Sequence, residues 1–421
     1  MIDHQGRFNK GFRTSIKIEL CEHHAGKRDF YTTGDSIDGY VWITIDHLLG
    51  PGMVEVAFRG QSRIVDDWVL LPVSTYRQQN FLELHQPIEN DAFNPDRVLK
   101  DGFEYKFPFK FIVPNELPIH ACRHKEEHCK IDRSHLLLPP TLGRDDEKRP
   151  VRLKDSSFDK IRITYSVQAK LLRQHTEENQ PNEPLASALM PVRIIPALQE
   201  MPPAYTLDHL QICPQSLRPS KIASWQAAKG TFRVCTLEPN PISLLASSYE
   251  ESKGPVTTVT MEMEFQPTHD EPPPAISRIS RKLLAHTTTH AVPFRTSLSG
   301  PICKSKQKTE THIVRLGDLK MSSVRWVEQP PANNVGRDTK EWVTRTGDRV
   351  KDSQQKRLYT ATIDVLICLP NTKTFVPTFD SCLISRSYAV EIFLYYSFSR
   401  KSIGSSPISL RVPLQITGPG R

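Results

Sequence analysis

Phe103-Glu104-Tyr105-Lys106-Phe107-Pro108-Phe109-Lys110-Phe111-Ile112-Val113 sets large apolar side chains at every second position of the chain. A period of two sends successive side chains to opposite faces, so one face of this segment is apolar and must be covered. The segment therefore reads as a strand lining a core, with Phe107, Phe109 and Phe111 pointing inward. Pro108 has no N–H to give to a ladder, which makes this an edge strand.

The same period recurs on both sides of it. Ile16, Ile18 and Leu20 alternate with polar residues, as do Ile37, Val41, Ile43 and Ile45, then Val54, Val56 and Phe58. Ile161, Ile163, Tyr165, Val167, Ala169 and Leu171 extend the series. In the second half Val259, Met261, Met263 and Phe265 alternate with Thr and Glu, and Tyr359 to Ile367, Val390 to Phe398 and Ile408 to Ile416 follow suit. Many such strands, joined by Gly, Pro, Asn and Asp turns, predict an all-β protein of two consecutive antiparallel β-sandwich lobes of the immunoglobulin-like kind. Gly34 and Gly39 around Ile37 read as turn chemistry. Short helices are expected only around 136–142 and 276–284. Polar, strand-poor stretches at 174–188, 266–312 and 328–357 read as long loops.

Pro191, Pro196, Pro202, Pro203 and Pro214 interrupt strand formation near the middle of the chain. The expected division is a first lobe over 12–196, a Pro-rich linker over 197–215 and a second lobe over 216–418, each of ordinary domain size. The 421 residues allow two to three such units. No run approaches the ~18 to 20 apolar residues that cross a bilayer as a helix. The N-terminus has no apolar secretory run and the C-terminus no lipidation pattern, so a cytoplasmic protein is the expectation. Eight cysteines are scattered without a repeating spacing and read as reduced thiols.

The linker carries Pro202-Pro203-Ala204-Tyr205. A Pro-Pro-x-Tyr segment offers a preformed polyproline II ridge followed by an aromatic for a second pocket, the features that WW domains dock. Much of the ordering entropy is spent before binding, so a short segment can make a specific contact. The bland alternative is a proline turn whose tyrosine packs on a neighbouring lobe.

A net charge of +8 biases the chain toward anionic partners. Zinc-finger spacing, RNA-recognition aromatics and a recognition-helix pattern are missing, so no nucleic acid is expected. Dinucleotide, P-loop, nucleophile-elbow and H-E-x-x-H signatures are missing too, so neither catalysis nor a cofactor is expected. His120, Cys122, His124, His128 and Cys129 crowd one segment, but their spacing closes no zinc site and a wet loop explains them. Between Glu271 and Glu310 no acidic residue occurs, while Arg278, Arg281, Lys282, Arg295, Lys304, Lys306 and Lys308 accumulate. Such a stretch suits an anionic membrane surface or an acidic cargo segment, with a solvated loop as the alternative.

Several of these segments together resemble one family. The run from Tyr31 through Gly34, Asp35, Ile37 and Gly39 to Val41 is similar to the N-terminal strand and turn of the arrestin fold, and Val54 to Gly60 resembles the strand after it. Phe107-Pro108-Phe109 through Phe111, Val113-Pro114 and Leu117-Pro118 resembles that family's F-P-F-x-F-x-x-P-x-x-L-P segment, and Ile163 to Ala169 its late first-domain strand. Val376-Pro377-Thr378-Phe379 through Tyr388 is similar to the closing segment of fungal arrestin-like proteins. The resemblance spans nearly the whole chain and points to the α-arrestins, the arrestin-related trafficking adaptors.

It implies two β-sandwich lobes without catalysis. It also implies an adaptor that brings a HECT-type E3 ubiquitin ligase, through the ligase's WW domains, to integral membrane transporters or receptors for ubiquitination and endocytosis. Pro202, Pro203 and Tyr205 match the ligase-binding motif, and the implied location is cytoplasmic and peripheral at the plasma membrane or endosomes. Two other readings stay open: an arrestin-fold scaffold for vesicle trafficking or for receptor or pH signalling, without ligase recruitment, and a β-sandwich hydrolase. The hydrolase would need a convergent acid–base pair in a cleft.

Overall fold

The computed structural model describes residues 14–21, 30–45, 52–66, 75–86, 103–121, 133–143, 160–173, 183–197, 215–217, 230–244, 254–290, 307–329, 357–398 and 407–419. Among them the chain is built of strands, with two short 3-10 turns at Ile119–Ala121 and Arg133–Leu136. The fold is all-β, in two antiparallel sandwich lobes.

In the first lobe β1 (Ser15–Leu20), β2 (Ser36–Thr44) and β5 (Glu104–Ile112) form one sheet in the order β1-β2-β5. The other sheet runs β4-β3-β6-β7, from β4 (Thr75–Gln86), β3 (Gly52–Asp66), β6 (Ile161–Arg173) and β7 (Glu183–Val192). β5 is an edge, so Pro108 costs no ladder bond. Phe107, Phe109 and Phe111 are buried between the sheets with Phe58 and Tyr165. Each such side chain contributes about 1.5–3 kcal/mol through its removal from water. The Tyr165 ring lies 5.9 Å from Phe58 and 5.5 Å edge-on from Phe81. Its hydroxyl donates to the Pro139 carbonyl at 2.6 Å, and full burial raises its pKa well above the ordinary phenol value. Gly39 lies inside β2 and not in a turn: a Cβ there would come within 2.5 Å of the Phe109 ring and 2.3 Å of the Glu19 carbonyl.

The second lobe faces a sheet of order β14-β15-β11-β9-β8 against one built on β12 and β17. The first contains β8 (Gln215–Leu217), β9 (Gly230–Thr236), β11 (Val256–Pro267), β14 (Val327–Gln329) and β15 (Leu358–Cys368). In the second, β12 (Ala275–His290) lies between β13 (Gln307–Lys320) and β17 (Ile384–Ser397), and β17 pairs on its far side with β16 (Phe379–Asp380) and β18 (Ile408–Leu414). A short parallel pair, β10 (Ile242–Ser243) with β19 (Ile416–Thr417), completes the described strands. Phe232, Val259, Met261, Phe265, Leu283, Val390 and Ile392 are among the residues at its core.

Five sequence expectations are corrected here. The helix expected over 276–284 is the first half of β12, and the loop expected over 266–312 holds all of β12 and the start of β13. The cause is visible in the register. β12 carries irregularities between Ile276 and Arg278 and between Ser280 and Lys282. The first lets Ile276 and Ile279, three apart, both turn inward, with Leu283 following at the same face; that spacing imitates a helical repeat. The stretch at 136–142 is likewise extended after its single 3-10 turn, with Leu137 bridged to Glu116 and Leu142 to Ile163. The loop expected over 174–188 gives way to β7 from Glu183 onward, and that over 328–357 starts within β14.

The lobes meet through a segment that belongs to the second lobe by sequence and to the first by packing. Val376, Phe379, Leu383 and Ile384 are buried within the first lobe's core cluster. Around them Tyr388 Oη donates to the Val376 carbonyl at 2.8 Å, and Thr378 N donates to Ile416 O at 2.8 Å. His135 Nε2 lies 3.4 Å from Asp380 Oδ2, and Arg77 donates to the His290 carbonyl.

Candidate functional site

Pro202, Pro203 and Tyr205 lie outside the described residues, but both flanks of the linker are fixed. On one side Thr33 Oγ1 donates to the Ala197 carbonyl at 3.2 Å, and Tyr31 forms a parallel bridge with Ile194. On the other, Gln215–Leu217 pairs with Phe232–Gly230 as the outermost strand of its sheet. About seventeen residues of sequence, the motif among them, separate these two described stretches.

The basic stretch divides. Arg278 and Lys282 project from the outer face of β12. The Arg278 guanidinium lies 4.0 Å from the Tyr395 ring centroid and the Lys282 ammonium 4.4 Å from that of Phe393, so both charges ride on aromatic faces. Arg281 is a correction. It is 8% exposed and turns inward, donating to the carbonyls of Leu316 at 3.0 Å, Gly317 at 3.4 Å and, across the sandwich, Leu366. The reason lies in the opposite strand: Ser280 faces Asp318 but Lys282 faces Arg315, so Arg281 alone opposes both Leu316 and Gly317. Gly317 takes the φ of +82 that this bulge requires, and the guanidinium caps the carbonyls the bulge frees.

Lys308 sits near the start of β13 with its ammonium 2.6 Å from Glu310 and largely in solvent. It shares the core-facing parity of His312 and Val314, and so lies on the other side of the strand from Arg315. Arg295, Lys304 and Lys306 lie outside the described residues.

Register adds three cations that the linear count had missed. Lys320 stands opposite Arg278, Arg315 opposite Lys282, and Arg411 opposite Glu391, itself opposite Lys282. These residues share one outer sheet face, and Arg315, Lys320 and Arg411 are exposed on it. The signal in the sequence was the outward parity of β13 and β18, which can be read only once the pairing partners are known. At the same face His286 Nδ1 meets Thr311 Oγ1 at 2.8 Å. Burial, then Arg411 and Arg386, hold its ring below the ordinary histidine pKa.

The cleft at the lobe junction is lined by residues that include Ser62, Gln79, His135, Ser381 and Cys382. His135 and Asp380 sit there as a pair, yet Ser381 Oγ donates to the Ile384 carbonyl at 2.6 Å, so its proton points away from the histidine. His120 is exposed in its 3-10 turn, and the cysteines and histidines that follow it lie outside the described residues. Among the described residues no cluster of three or more His, Cys, Asp or Glu is placed to hold a metal ion.

Residues 299–418 match the family model described as Bul1 C terminus. That family is one of arrestin-related trafficking proteins of fungi, adaptors for ubiquitin ligase, in line with the α-arrestin-like resemblance of the sequence. The matched segment runs through β13 to β19, including the segment buried at the lobe junction. No curated protein matches the chain.

Proposed function

We propose that this chain is a non-enzymatic adaptor that recruits a HECT-type E3 ubiquitin ligase to integral membrane transporters or receptors and so promotes their ubiquitination and endocytosis. The observation that carries the reading is the placement of Pro202-Pro203-Ala204-Tyr205 between two sandwich lobes, the second of which matches the arrestin-related family. The motif is the ligase contact, and the rigid lobes on either side hold the ligase at a set place relative to cargo. On this reading the protein works in the cytoplasm, peripheral at the plasma membrane or endosomes. The outer face with Arg278 and Lys282 suits an anionic leaflet or an acidic cargo segment, at about 1 kcal/mol per cation close to a charged membrane.

The test is titration of the full chain with isolated WW domains. Saturable binding by the wild type and its loss in Tyr205→Ala are expected, with thermal stability unchanged within about 1 kcal/mol. Equal affinity of the two proteins would overturn the assignment, and a large loss of stability would instead place Tyr205 in a packed interface.

A further inference from the structure

The two outer faces of the second lobe carry opposite charge. Among the described residues of the β12–β13–β17–β18 face, Arg278, Lys282, Arg315, Lys320 and Arg411 stand with Asp318 and Glu391, which pair with Arg278 and Arg411 and leave a net excess of three cations. On the opposite sheet the outward positions of β9, β11 and β15 hold Glu262, Glu264 and Asp364 with Arg233, three carboxylates against one cation. The register sets Glu264 opposite both Arg233 and Thr360, and Asp364 opposite Thr260, whose hydroxyl donates to it at 2.7 Å. The acidic side chains also raise the Cys235 thiol pKa, after burial as the first cause. Each face carries exposed apolar side chains: Val256 and Leu366 on the acidic one, Ile313 on the basic one.

We infer that the second lobe self-associates head to tail, the basic face of one copy seated on the acidic face of a second copy. Three features favour a second copy as the occupant. The charges are complementary, since one face carries net positive and the other net negative charge. Both faces are antiparallel sheets, so the outward side chains of each stand in parallel rows. Their size also fits a reversible contact. The smaller, acidic face, from β9, β11 and β15 of seven, twelve and eleven residues at about 3.3 Å per residue and about 4.8 Å between strands, spans on the order of 500 Å². That is below the ~800 Å² that each partner commonly gives to a stable specific interface and in the range of weak, reversible contacts. Because the two patches differ, the contact is heterologous and leads to open chains of copies rather than a closed dimer. In such a chain the end copy alone keeps its basic face free for a leaflet or a cargo segment, while the ligase motifs of all the copies are brought together. The inference stands apart from the ligase reading and is tested without ligase, cargo or lipid.

The experiment is sedimentation velocity of the full chain over a range of concentrations. Wild type should associate at low salt, and the association should weaken about tenfold or more as salt rises from about 0.05 M to about 0.5 M. Glu262→Lys/Glu264→Lys/Asp364→Lys makes both faces basic, and Lys282→Glu/Arg315→Glu/Arg411→Glu makes both acidic. Each variant alone should be monomeric, and an equimolar mixture should regain association, since only the mixture restores opposite charge. A wild type that stays monomeric at low salt and about 0.1 mM, variants that associate as the wild type does, or a mixture that stays monomeric would each overturn the inference. Should a triple variant not fold, the single changes Glu264→Lys and Arg315→Glu make the same comparison, alone and mixed.

Discussion

The outer faces of the two lobes solve the same problem in opposite ways. On the first lobe several charges are answered where they stand. Arg59 binds Glu83 at 2.5 Å and also donates to Gln168; His85 lies between Glu55 at 2.9 Å and Glu83 at 3.2 Å; Trp42 Nε1 donates to Glu19 at 2.9 Å. Lys106 rests 3.7 Å from the Tyr40 ring. On the second lobe pairs form too, Arg278 with Asp318 at 3.4 Å and Arg411 with Glu391 at 3.5 Å, but an excess of positive charge remains on one sheet and of negative charge on the other. A face whose charges are paired internally has little to offer a charged partner, whereas an unbalanced face gains by meeting one. On the proposed reading the charged contact lies on the second lobe, and the first supports it.

The comparison rests on both lobes being well-packed sandwiches, and breaking that premise should have the largest effect. Phe107→Ala should cost ~3–5 kcal/mol of unfolding free energy in urea titration, as for other fully buried aromatics. Phe379→Ala, although in the second half of the chain, should lower hydrogen-exchange protection in β3 and β6, because its ring is part of the first lobe's core. Unchanged protection in those strands would mean that the junction segment is not shared.

The next test contrasts neighbours in sequence. Arg281→Ala removes the donor to two carbonyls at the bulge and to one across the sandwich and should cost ~2–3 kcal/mol. Lys282→Ala should stay within ~0.5 kcal/mol, like other surface changes, yet weaken association. Equal costs would erase the distinction between the cation that holds the sheets and the one that faces outward.

A smaller effect separates the lobes by pH. His286, His290 and His312 all belong to the second lobe, and all have pKa values lowered first by burial. Their rings resist protonation in the folded state more than in the unfolded chain, which protonates near the ordinary value of ~6.5. The stability they contribute is present above that value and is lost as pH falls through it toward the folded pKa values. Thermal melts from pH 8 to pH 5 should therefore show a falling midpoint, and His286→Gln should flatten part of the slope. The smallest effect belongs to the first lobe: Arg59→Ala should change stability by ~1 kcal/mol or less, since its ion pair is partly solvated.

Most of the fold was legible in the sequence, because a strand's period of two is written directly in the order of residues. Phe107, Phe109 and Phe111 could be placed inside, and Pro108 on an edge, before any pairing was known. What the sequence hid were the bulges, which depend on the partner strand. Without them β12 imitates a helix, Arg281 and Lys282 look alike, and a basic run seems to be a loop. The basic face was only half legible for the same reason: Arg315, Lys320 and Arg411 come from other strands, and only register brings them beside Arg278 and Lys282. The linker motif was legible as chemistry, since four consecutive residues carry it without help from the fold.

The adaptor reading is tested most directly by proximity labelling in cells, with the labelling enzyme fused to the wild-type chain or to Tyr205→Ala. The account predicts that the wild type labels a WW-domain ubiquitin ligase together with integral membrane cargo. The Tyr205→Ala chain should lose the ligase and keep the cargo. Equal labelling of the ligase by both chains would contradict it.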